Sequence, residues 1–124
     1  MTTQAGVVVT QGLAMLKDRV DERNFETFIE EEWSKLFNAE DGAKGMTSQM
    51  AKADRGERET GHYLISMYYD SFETREWYFP IINGKIGLSE QGQKEFDAKG
   101  FGDAHRKLGE FAELEYRGSG TITT

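Results

Sequence analysis

Between Asp21 and Asn38 the apolar side chains Phe25, Phe28, Ile29, Trp33, Leu36 and Phe37 recur at the i, i+3, i+4 spacing of one helical face. Asp21 is a fitting N-cap, because its short side chain can accept from the free amides of a first turn. Glu26, Glu30, Glu31 and Lys35 occupy the opposite face, and Asn38 to Gly45, with two glycines and no large apolar residue, ends the helix. An aromatic stripe of this kind must lie against another layer, which the flanking segments supply as strands.

Residues 7 to 16 open with Val7-Val8-Val9-Thr10 and continue through Leu13-Ala14-Met15-Leu16, so they read as a first strand with a bulge at Gly12. Met46 to Ala53 alternates weakly. His62 to Tyr69 alternates as Tyr63, Ile65, Met67 and Tyr69 against His62, Leu64, Ser66 and Tyr68. The polar stretch 54 to 61 between them predicts a long-looped antiparallel hairpin with a charged tip. Ser71 caps a short helix that reaches Tyr78 or Phe79, where Pro80 stops it. Residues 81 to 98 read as an insertion, with a turn at Asn83-Gly84 and a helix from Ser89, that would form a lid or pocket wall. A further helix spans 101 to 111, and 112 to 116 alternate as a last strand. Residues 1 to 6 and 118 to 124 are expected to be flexible ends.

The order strand, helix, strand, strand, helices, strand is that of a ferredoxin-like α+β fold, an antiparallel sheet with helices on one face. The other face is left open, and a second copy would cover it by two-fold symmetry, so a homodimer is expected. With 124 residues the chain suits a single domain over 1–124, and its hydrophobic fraction of 37% is modest for a lone protomer. Fifteen Lys and Arg against 22 Asp and Glu give a net charge of -7, which disfavours nucleic acid and anionic membrane surfaces as partners. There is no cysteine, hence no disulfide, thiolate nucleophile or Cys-based metal site. The first residues lack a cationic signal region and Val7 to Val9 is too short for a membrane span, so a cytoplasmic protein is expected.

Gly61 through Thr74, which includes His62-Tyr63-Leu64-Ile65-Ser66-Met67-Tyr68-Tyr69-Asp70-Ser71-Phe72, and Gly100-Phe101-Gly102-Asp103-Ala104-His105-Arg106 resemble the dimeric α/β-barrel superfamily. The likeness is to its stress-responsive A/B-barrel and antibiotic-biosynthesis-monooxygenase branches, and the opening helix up to Glu31-Glu32-Trp33 fits too. Polyketide cyclases of this fold use a Tyr on the second helix, which Tyr78 matches, and a His whose position falls here on Ala98. The haem-degrading monooxygenases use a His in a Phe-x-x-Ala-His setting, matched by Phe101 to His105, and a second-helix Trp near Trp77. Their strand-one Asn has no counterpart, so no cofactor is expected.

The resemblance thus implies His105 and Tyr78 as catalytic residues, with Tyr68, Trp77, His62 and Phe101 as ligand-binding residues. Imidazole titrates near neutral pH and suits a general base, while aromatic hydroxyls can orient a polar aromatic ligand. Tyr69 shares a face with Ile65 and Met67 and reads as packing, and His62 at a strand start suits a surface or cross-strand role. Glu30, Glu31 and Glu32 are consecutive, point to different sides of a helix and make no metal site. No Gly-x-Gly-x-x-Gly, His-Glu-x-x-His, Gly-x-Ser-x-Gly or P-loop pattern occurs. Two functions fit: a cofactor-independent cyclase-like or monooxygenase-like enzyme for a small aromatic or polyketide-like substrate, and a non-catalytic, stress-associated homodimeric binding protein.

Overall fold

A computed structural model describes residues 5–38 and 40–124. Four antiparallel strands, β1 (Val8–Leu16), β2 (Met46–Lys52), β3 (Tyr63–Tyr69) and β6 (Ala112–Thr121), form a sheet in the order β2-β3-β1-β6. The register Val8↔Tyr69, Thr10↔Met67 and Ala14↔Tyr63 puts these six side chains on one face, where the helices pack. The fold is the expected ferredoxin-like one. The bulge at Gly12 is present as a register shift between Gln11 and Gly12. A Cβ there would lie 3.2 Å from both the Glu115 carbonyl oxygen and Ile65 Cγ2, so a larger residue would require these neighbours to give by a few tenths of an ångström.

α1 (Glu22–Phe28) starts at Asp21, whose carboxylate accepts from the Arg23 amide at 2.8 Å. The expected single helix is re-phased by a π-helical stretch (Ile29–Trp33) before α2 (Ser34–Phe37). The five-residue step from Phe28 to Trp33 explains it: one wider turn keeps both rings on the buried side. α3 (Phe72–Tyr78) is capped by Ser71, which accepts from the Thr74 amide at 3.1 Å. The Asn83-Gly84 turn closes a two-residue hairpin of β4 (Ile81–Ile82) and β5 (Lys85–Ile86), both turn residues having positive φ. Ser89 caps α4 (Glu90–Lys99), and Gly100 in the left-handed region separates it from α5 (Phe101–Phe111).

Two expectations are corrected. The last strand does not stop at Tyr116 but continues to Thr121, with Ser119 opposite Thr10 and Thr121 opposite Val8, so 118 to 121 are held by the ladder of β1 rather than frayed. The amide of Gly6 also donates to the Ile122 carbonyl at 2.8 Å, while residues 1–4 of the expected flexible start lie outside the described residues. The charged hairpin tip, for its part, is not simply solvated. Arg58 bonds Glu115 at 2.8 Å and Glu59 pairs with Arg117, so the β2–β3 loop folds across one end of the helix-free face, over fully buried Leu13. Among the described residues no helix is long and apolar enough to cross a membrane.

Candidate functional site

A cavity of about 510 Å³ opens between the sheet and the helices. Its floor is the alternating row of β3, Ile65, Met67 and Tyr69, continued sideways by Thr10 of β1 and by Tyr116 and Ser119 of β6. Aromatic rings build the walls: Phe101 packs 4.2 Å from Phe96 and 5.6 Å from Trp33, and Phe79 lies 6.1 Å from Phe96, all as centroid separations. The 81–98 segment does form a wall, through Phe96 and the hairpin residues Ile81 and Ile86. Ile81, Ile86 and Tyr116 are 67%, 61% and 59% exposed, so the rim too is apolar. Flat apolar walls of this kind suit an aromatic guest.

One end of the cavity is polar. Arg75 on α3 donates from Nη1 to Ser119 Oγ at 2.8 Å, and Thr10 Oγ1 donates to the same oxygen at 3.0 Å. Arg75 Nε reaches Glu76 Oε2 at 3.3 Å, and its guanidinium sits 5.1 Å from the centre of the Phe72 ring. Burial pushes the Tyr69 phenol up to about 12, against the pull of the Thr10 hydrogen bond and the Arg75 charge, so Tyr69 keeps its proton at neutral pH. This end therefore presents a cation, its carboxylate partner Glu76 and hydroxyl groups inside an otherwise apolar space. Among the described residues no group of three His, Asp or Glu side chains is placed to hold a metal ion.

The structure brings only part of the expected set together. His105, exposed on α5, and Phe101, one turn before it, both line the cavity with ring centroids 5.5 Å apart. Tyr78 does not line it. Its side chain is fully buried, its hydroxyl donates to the Lys44 carbonyl at 2.7 Å, and its ring stacks on Phe96 at 5.1 Å. Burial pushes its phenol, too, up to about 12. Trp77, 4.8 Å from Tyr78, lines with it a separate cleft beside Gly45 and Asp70, on another side of α3 from Arg75 and Phe79. Tyr68 points to the helix-free face and donates to Gln49 Oε1 at 3.2 Å. His62 lies just before β3, its Nδ1 accepting from the Leu16 amide at 3.0 Å.

Arg75, Thr10 and Ser119 carry no expectation from the sequence, and Tyr69, expected only to pack, lines the cavity as well. Two signals pointed to them: Arg75 is the only cation on its seven-residue helix, and Thr10 interrupts the apolar row of Val8 and Ala14. Ser119 gave no signal, because it lies in the stretch expected to be frayed.

No protein-family profile matches the chain, and no curated protein matches it. Among solved structures it is similar to a mutant of SnoaB, a cofactor-independent oxygenase from Streptomyces nogalater, at a TM-score of 0.54 and 12% identity. The superposition covers 97% of this chain and 94% of that one, and it shows a shared fold.

Proposed function

We propose that the chain is a homodimeric, cofactor-independent enzyme, cyclase-like or monooxygenase-like, for a small aromatic or polyketide-like substrate bound in this cavity. The observation that carries the reading is the cavity itself: aromatic walls around one polar end, with His105 on the wall as a candidate for proton transfer. The likeness to a cofactor-independent oxygenase supports it at the level of fold. The helix-free face, on which Leu64 is 40% exposed and which it shares with Val9 and Tyr68, supports a second copy as its cover. The absence of cysteine fits work in the cytoplasm.

The test is a thermal-shift screen of hydroxylated naphthalenes and anthraquinones, followed by turnover assays of the hits with chelator-treated protein. Oxygen uptake during turnover separates monooxygenase-like from cyclase-like chemistry. Binding without product, in both assays, overturns the enzymatic reading. That outcome would favour the stress-associated binding protein, a second reading supported by one observation: among the described residues no hydrogen bond orients the His105 imidazole.

A further inference from the structure

Resting on the reading of the cavity as a ligand site, we infer that its polar end is a receptor for an anionic group, so that the preferred ligand is an aromatic carboxylic acid anchored by Arg75. The guanidinium has five N–H donors in a fixed fork. Within the described residues its protein partners are Glu76 Oε2 on Nε and Ser119 Oγ on Nη1, which leaves Nη2 free to meet a guest. Ser119, which accepts from Thr10 and Arg75 and keeps its own O–H, and protonated Tyr69 add hydroxyl donors at the same end.

The neighbouring carboxylate does not cancel this cation. Glu76 meets only Nε, at 3.3 Å, and leaves Nη2 to a second acceptor, while at 36% exposure against 23% for Arg75 the acid is the better screened of the two. Such a half-buried arginine between an aromatic ring and hydroxyl groups matches a planar carboxylate far better than a neutral amide of the same shape. The net charge of -7 makes the point sharper, because an acid approaching this protein gains nothing from the overall field and needs a local cation. The ring of the ligand would then lie along Phe79, Phe96 and Phe101.

Titration calorimetry with naphthoate and its isosteric amide, naphthamide, at neutral pH tests the assignment. Wild type should bind the acid about tenfold more tightly than the amide, the scale of one charge-assisted hydrogen bond. Arg75→Met should abolish that preference by weakening the acid far more than the amide, and Arg75→Lys should keep part of it. Ser119→Ala, which removes the hydroxyl holding Nη1, should weaken the preference several-fold and serves if Arg75→Met fails to fold. Equal affinity for acid and amide in wild type, or a preference that survives in Arg75→Met, overturns the anionic receptor while leaving the cavity as a ligand site. Binding of neither probe to folded wild type overturns both.

Discussion

Phe96 and Phe101 stack across Gly100, their ring centroids 4.2 Å apart and their planes 26° from parallel. Phe96 lies in the last turn of α4 and Phe101 begins α5, and both line the cavity, so the left-handed turn at Gly100 sets the shape of the site as well as the path of the chain. Gly100 has φ +78 and open space where a Cβ would stand, so its requirement for glycine is conformational, not steric crowding. Gly100→Ala should therefore lower stability by about 1 to 2 kcal/mol, seen as a lower urea midpoint at unchanged m-value. A midpoint equal to that of wild type would show that the turn relaxes freely.

His105→Ala and Tyr78→Phe should separate chemistry from stability. His105 is exposed, so its truncation should shift the melting temperature little while lowering turnover of a screened substrate by about 10² to 10⁴. Tyr78→Phe removes the donor to the Lys44 carbonyl and should cost about 1 kcal/mol of stability, with a far smaller effect on turnover. The opposite pattern would move the chemistry to the Tyr78 cleft.

Tyr69 predicts an alkaline signature. Its phenol is pushed by burial from 10.0 up to about 12, so the folded state holds the proton more tightly than the unfolded chain does. The stability this provides is complete below pH 10 and is lost as pH rises through 12. Unfolding free energies measured across that window should fall less steeply for Tyr69→Phe than for wild type. Parallel curves would mean that the phenol titrates alike in both states.

The helix-free face should bring two copies together. Sedimentation equilibrium at micromolar concentration is expected to give twice the 14.1 kDa chain mass, and Leu64→Glu should move the equilibrium toward one copy by placing a charge on the half-exposed position. A wild-type mass of a single chain would refute the pairing.

The sequence by itself determined the elements and their order, because each announces itself locally. Asp21 and Ser71 cap helices through their own side chains, Pro80 lacks a donor, and the alternation from Tyr63 to Tyr69 can bury only one face. It also determined that Phe101 and His105 stay together, since i and i+4 share a helix face whatever surrounds them. Tertiary structure decided the rest of the site. In α3 the apolar side chains Phe72, Trp77 and Tyr78 and the cation Arg75 occupy barely two turns, so no periodicity can say which side meets the sheet. Packing turned Arg75 and the following Phe79 into the cavity and buried Tyr78 elsewhere. Ser119 depended on the same kind of choice: Gly118, Ser119 and Gly120 have poor strand propensity, and only the non-local ladder with β1 holds Ser119 beside Thr10 and Arg75.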